Sequence, residues 1–356
     1  MRSYDLYIFD LDDTLVRTFE AAAQVYYPAL ARWLGVGTPG VEQIRAHWGG
    51  DLSRSLMNNF GAEIDPTAAV EHLSGLHARH PVEPVNGALR IVEILKKHHK
   101  GVCLFTSGEP GIVEVEIRRG LRRDPQYFDF VFSTMEQGIE KPDPQIIYIL
   151  MDQYRQRTGR KIGLDRVLVV GDSLADFATA AAAEVDFAAV LTGTTDHETF
   201  HDAGLGSKWI FPDIGYAIRP PEKHGIVAVI RNQSGKYLMV REGRPDNEYY
   251  GCWSGPHGRC EYFDVIEEET VARETWEESR VRVRAVRPLY TRQADTKVQT
   301  VTFWEAELLH PADWKRVVAD TQEVDRFDWL TEAEILSGRY PLYPGTVDFF
   351  ASFCGR

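Results

Sequence analysis

The chain opens on a short apolar run, residues 4–9, followed at once by acidic residues. A run of this length bounded by polar turn formers predicts a buried strand. Residues 19–33, 68–76 and 88–98 carry apolar positions at helical spacing, and residues 102–105 and 167–170 are further short β-branched runs ending at small polar residues. Strands alternating with helices predict a parallel sheet with helices on both faces, whose ligands sit beyond the carboxyl ends of the strands. The pattern changes after Arg219-Pro220-Pro221-Glu222-Lys223, which reads as a stiff linker over 219–223. Beyond it, residues 226–230 and 237–241 flank Asn232-Gln233-Ser234-Gly235 and predict a β-hairpin, followed by one long helix over about 265–280 and strands over 282–289 and 299–307. The expectation is an α/β domain over 1–218 and a separate α+β domain over 224–356.

Composition narrows the classes. The 356 residues exceed what one hydrophobic core usually organises, and 44% hydrophobic with 26% charged residues is ordinary for a globular protein. No stretch approaches a membrane-spanning run, and the first strand begins too early to leave room for a signal peptide. Cys103, Cys252, Cys260 and Cys354 form no C-x-x-C pair, so free thiols and a cytoplasmic location are expected. The net charge is −13, and acids outnumber bases both in residues 1–212 (29 to 21) and after them (24 to 19). Neither part has the basic excess that neutralising a nucleic-acid backbone requires. A small phosphorylated partner remains open to an acidic protein if a divalent metal reverses the local sign.

The first strand delivers Phe9-Asp10-Leu11-Asp12-Asp13-Thr14-Leu15. Two carboxylates two residues apart can share a substrate, one attacking phosphorus while the other protonates the leaving oxygen. Acidic turns are common, so three further segments matter. Leu104-Phe105-Thr106-Ser107-Gly108 ends a strand with hydroxyls that can hold a phosphoryl oxygen. Lys141 supplies a cation, and Val170-Gly171-Asp172-Ser173-Leu174-Ala175-Asp176 ends another strand with two carboxylates suited to Mg2+.

This ordered set closely resembles the haloacid dehalogenase superfamily, in the branch with a helical cap between the first and second motifs. The resemblance spans roughly residues 4–218, with the cap over about 16–84. It implies a Rossmann-like core and a Mg2+-dependent phosphohydrolase. Asp10 would be nucleophile and metal ligand, and Asp12 acid/base with its main-chain carbonyl on the metal. Thr106 and Ser107 would hold the phosphoryl group, Lys141 would clamp charge, and Asp172 would ligate the metal with Asp176 supporting it. Glu184 stands where relatives usually place a glycine.

A second constellation lies on the long helix, where Glu274, Glu277 and Glu278 share one face beside Arg273. By itself this reads as a solvated acidic face. Preceded by the Gly-rich segment Trp253-Ser254-Gly255-Pro256-His257-Gly258, however, it resembles the Nudix box, G-x5-E-x7-R-E-U-x-E-E-x-G-U. The resemblance covers about 224–345. It implies a Nudix fold, Mg2+ on Glu274, Glu277 and Glu278, Arg273 orienting a carboxylate, and water attack on a nucleoside diphosphate derivative. The interval from Gly258 to Arg273 is one residue longer than in the box. The mid-box glutamate is missing, with Asp264 and Glu267 as candidate substitutes, and Arg280 replaces the closing glycine. Three functions stay open: consecutive diphosphate and monoester hydrolysis, a phosphatase carrying a catalytically weakened ligand-binding or assembly module, and a phosphomutase.

Overall fold

The computed structural model describes residues 4–220, 223–294, 298–319 and 323–354, and the chain folds as two compact units, residues 2–218 and 219–356. Pro221 and Glu222 of the expected linker lie outside the described residues. Among the described residues no helix is long and apolar enough to cross a membrane.

The first unit is built on a six-stranded parallel sheet of β1 (Leu6–Phe9), β2 (Gly101–Thr106), β3 (Phe130–Ser133), β4 (Val167–Gly171), β5 (Asp186–Val190) and β6 (Ile210–Phe211), in the order β3-β2-β1-β4-β5-β6. Leu6, Ile8, Cys103, Phe105, Val167 and Val169 form a core with Ile147, Leu150 and Tyr154 of the helix Gln145–Thr158. Strands of a parallel sheet are covered on both faces, which is why they read as unbroken apolar runs. Register fixes the rest: Phe9 pairs with both Leu104 and Val170. Asp10, Thr106 and Asp172 therefore leave the sheet at one edge, on three adjacent strands.

Between β1 and β2 the chain makes a helical excursion, with helices at Tyr27–Leu34, Val41–Ala46, Leu52–Phe60 and Pro66–Arg79. Its two ends meet: Arg17 N–H donates to Glu83 O at 2.9 Å, and Val85 N–H to Leu15 O at 2.8 Å. Asp51 and Asp65 cap the third and fourth helices by accepting backbone N–H groups.

The second unit holds two sheets. One runs β10-β7-β12-β11, from β7 (His224–Ile230), β10 (His257–Arg259), β11 (Val283–Gln293) and β12 (Thr300–Leu308); the other runs β13-β8-β9, from β8 (Tyr237–Glu242), β9 (Trp253–Ser254) and β13 (Val324–Leu330). The expected hairpin of residues 226–230 and 237–241 is half right. Its turn exists, with Asn232 Oδ1 accepting from Ser234 and Lys236 N–H and Gly235 at φ 75°, but only an Arg231–Tyr237 bridge joins the two arms. Both edges of β7 are already taken, by β10 and by β12, so β8 pairs with β13 and β9 instead. Alternate residues of β7 enter different cores. Ile226, Ala228 and Ile230 meet Val271 and Trp304, whereas Val227 meets Met239 and Phe303. The helix Glu267–Ser279, which supplies Val271, ends at Arg280 in the left-handed conformation (φ 57°).

Candidate active sites

In the first unit Asp10, Asp172 and Asp176 are buried, and each offers a carboxylate oxygen within 4.8 Å of the others. Lys141 Nζ donates to Asp10 Oδ1 at 2.6 Å and to Asp176 Oδ1 at 2.7 Å, and lies 3.9 Å from the centroid of the Phe105 ring. Asp176 also closes a capping box, accepting from Ser173 N–H and Oγ at the start of the helix Leu174–Ala182. Thr14 Oγ1 donates to Asp172 at 3.3 Å. Two glycines leave room for these carboxylates. A Cβ on Gly193 would fall 1.7 Å from Asp172 Oδ2, and one on Gly171 2.5 Å from Asp176 Oδ2.

Burial pushes the carboxyls of Asp10 and Asp172 well above the usual range; Lys141 opposes the shift at both, while the neighbouring aspartates reinforce it. Three acids crowded around one lysine make a site short of positive charge, which is what a divalent cation would supply. Asp12 stands apart from this cluster. Its Oδ2 accepts from Thr106 Oγ1 at 3.2 Å, and burial raises its pKa as well. Asp10, Asp12, Ser107, Lys141 and Asp172 line one cavity of about 290 Å³, whose other wall comes from the helical excursion.

In the second unit Glu274 and Glu278 are buried, whereas the Glu277 side chain is half exposed. Arg273 Nη1 donates to Glu274 at 2.7 Å and Glu277 at 3.1 Å, and Nη2 to Asp264 at 2.8 Å. Glu278 Oε2 accepts the His257 N–H at 2.9 Å. Burial lifts Glu274 to about 7, against the opposing pull of Arg273, and lifts Glu278 well above the carboxylate range. The helix spacing puts the three glutamates on one face, but their oxygens do not meet as closely as those of the aspartate cluster, and Arg273 bridges two of them. Gly258 permits the arrangement, since a Cβ there would lie 2.0 Å from the Glu274 carboxyl carbon.

A family model described as haloacid dehalogenase-like hydrolase matches residues 7–190. The chain belongs to that family. A NUDIX domain model matches residues 221–353, so a haloacid dehalogenase-like hydrolase is fused to a C-terminal Nudix domain. Similar solved structures include a haloacid dehalogenase-like hydrolase of Bacteroides fragilis (20% identity, TM-score 0.50, 60% of this chain and 99% of that one). CbbY of Rhodobacter sphaeroides in complex with phosphate is also similar (18%, 0.50, 60% and 95%). At such identities the likeness speaks for the fold. A search of curated proteins finds no match.

Several residues around both sites escape the sequence patterns. In the Nudix domain Asp264, not Glu267, meets Arg273; Glu267 instead accepts from the Trp304 indole at 2.7 Å. Asp264 lies six residues after Gly258, the interval of the missing glutamate, so the extra residue falls between Asp264 and Arg273. Glu242 is buried and accepts two hydrogen bonds from the Arg244 guanidinium and one from its backbone N–H, with Tyr343 and Asn247 also donating to it. Nothing in the local sequence marks that group, because β8 and the segment after β13 meet only in the fold. Trp304 itself is buried in the core.

Proposed function

We propose that the haloacid dehalogenase-like domain hydrolyses a small phosphomonoester through a phospho-aspartate at Asp10. The observation that carries this reading is the Asp10–Lys141–Asp176 bridge beside Asp172, in the lining of a cavity to which Asp12 and Ser107 also contribute. Asp10 attacks phosphorus, and Lys141, already 2.6 Å from its carboxylate, neutralises charge on the nucleophile and the transferring group. Thr106 and Ser107 hold phosphoryl oxygens. Asp12, whose pKa burial raises, gives a proton to the leaving oxygen and then takes one from the water that cleaves the acyl phosphate. The donor set fits Mg2+ held by Asp10, Asp172 and the Asp12 carbonyl, with Asp176 fixing Lys141 and the loop. When bound, that ion supplies the positive charge that lets Asp10 ionise and that offsets charge building on phosphorus.

The Nudix domain is assigned cleavage of a nucleoside diphosphate derivative, with Mg2+ on Glu274, Glu277 and Glu278 and with Arg273 orienting Glu274. One product would then be the monoester consumed by the other domain. Two buried carboxyls raised by burial, Glu274 and Glu278, support a cation there. A second reading is a binding module, favoured by Arg273 bridging Glu274 and Glu277 where converging ligands are needed. The test is a hydrolysis panel of monoesters and diphosphates on the full chain and on its Asp10→Asn and Glu277→Gln variants, with Mg2+ or EDTA. Consecutive action predicts diphosphate cleavage that stops at the monoester in Asp10→Asn. A binding module predicts no diphosphate cleavage by any of the three.

A further inference from the structure

The lining of the monoester cavity includes a group that the chemistry above does not use. Glu116, on the turn Glu116–Gly120 that continues the helix Pro110–Val115, is 2% exposed and lines the cavity with Tyr26, Tyr27, Trp48 and His77. Neither of its carboxyl oxygens has a hydrogen-bond partner among the described residues. His77 Nδ1 lies 3.1 Å from Oε1, yet it too has no hydrogen-bond partner among the described residues. Burial pushes His77 down to about 4, so at neutral pH the imidazole brings no charge. Lys141, the one cation among the described residues lining the cavity, is engaged by Asp10 and Asp176.

Unpaired carboxyls of this kind are rare in protein interiors, because taking the charged form out of water is costly without a partner. Burial raises the Glu116 carboxyl well above its ordinary range, disfavouring the charged form while the group has no partner. A ligand cation would reverse this, making the pair in place of water. Aromatic side chains beside a carboxylate add attraction for a cation and none for an anion. A carboxylate on the ligand would instead face Glu116 with like charge.

We propose that Glu116 binds a protonated amino group carried by the leaving group of the phosphomonoester, so that this site selects aminoalkyl phosphates over neutral and acidic ones. The inference rests on the phosphomonoesterase reading and specifies its substrate class.

The test uses the full-length protein with Mg2+ and three matched series of alkyl phosphates, with two to five methylenes and a terminal ammonium, hydroxyl or carboxylate. At the best chain length, kcat/KM should favour ammonium over hydroxyl by on the order of tenfold, with carboxylate lowest. Glu116→Gln, nearly isosteric but unable to ionise, should collapse the ammonium-to-hydroxyl ratio towards one, chiefly through KM, and Glu116→Asp should retain part of it. Equal or better turnover of the hydroxyl series by the wild type overturns the proposal, as does a preference that survives Glu116→Gln. Should that variant misfold, competitive inhibition of the wild type decides: n-butylammonium must inhibit more strongly than n-butanol, and equal inhibition overturns the proposal. Hydrolysis of the series without ammonium preference sinks this inference alone. Failure to hydrolyse any monoester removes the parent reading and this one with it.

Discussion

The Trp48 indole donates its Nε1–H to Asp13 Oδ2 at 2.9 Å, joining the helical excursion to the loop that carries Asp10 and Asp12. Asp13 is buried, sits at φ 57°, and accepts the Phe19 N–H on its other oxygen. The third acid of the motif is thus a structural anchor for the cap. Burial raises it to about 7, and the two hydrogen bonds work against that shift. The unfolded carboxyl releases its proton near 3.8, whereas the folded one holds it to about 7, so stability from this group is full below 3.8 and lost as pH rises to about 7. Trp48→Phe removes a donor to a buried acid and should cost about 1–3 kcal/mol. Because the indole favours the ionised form, the stability gap between wild type and variant should widen from pH 5 to pH 8 in urea titrations. A gap that narrows over that range contradicts the assignment.

Asp10→Asn should abolish monoester hydrolysis and any acid-stable phosphate label on the protein, with an unchanged circular dichroism spectrum. An amide fills the same space and still accepts from Lys141 but cannot form the acyl phosphate, so a loss of at least about a thousandfold is expected. Near-normal turnover by a folded variant removes Asp10 as nucleophile.

If Asp12 acts as the acid, its step runs below its pKa and fails as pH rises through it. Burial raises that pKa. Hydrolysis of alkyl phosphates should therefore persist to higher pH than an ordinary carboxylic acid would allow. In Asp12→Ala, alkyl esters should lose far more rate than aryl esters, which depart with little protonation, by a difference of about a hundredfold. Equal losses for the two classes exclude the acid role.

In the Nudix domain, Gly258→Ala should disturb Glu274 directly, since the new methyl would fall on its carboxyl group. Glu277→Gln changes a half-exposed side chain and should leave stability within about 0.5 kcal/mol. If these carboxylates hold catalytic metal, both variants should lose diphosphate cleavage by about a hundredfold or more, with monoester hydrolysis retained. Diphosphate cleavage that survives both moves the chemistry elsewhere, with Glu323 the next carboxylate to change.

Arg280→Gly tests the strain at the end of the Nudix helix. Left-handed backbone suits glycine, and relief at φ 57° should raise stability by up to about 1 kcal/mol. The guanidinium also lies 5.8 Å from the Trp276 ring centroid. If denaturation shows the variant to be weaker, that contact outweighs the strain.

What the sequence determined was local and ordered. A strand followed by acids, strands ending in Thr106 or in Asp172 with Asp176, and Lys141 between them made the parallel-sheet family legible, because each cluster sits at the end of its own apolar run. Glu274 and Glu278 were legible in the same way, since helical spacing alone puts them on one face. The tertiary structure decided what depended on pairings between distant segments. β8 left its expected hairpin partner because β10 and β12 had already occupied both edges of β7. Asp264 became the partner of Arg273, Trp48 found Asp13 across 35 positions, and Glu116 was brought beside His77 in a cavity wall where, among the described residues, neither the Glu116 carboxyl nor His77 Nδ1 has a hydrogen-bond partner. Spacing along a chain fixes which side chains share a face; burial and charge compensation arise only when separate faces close on one another.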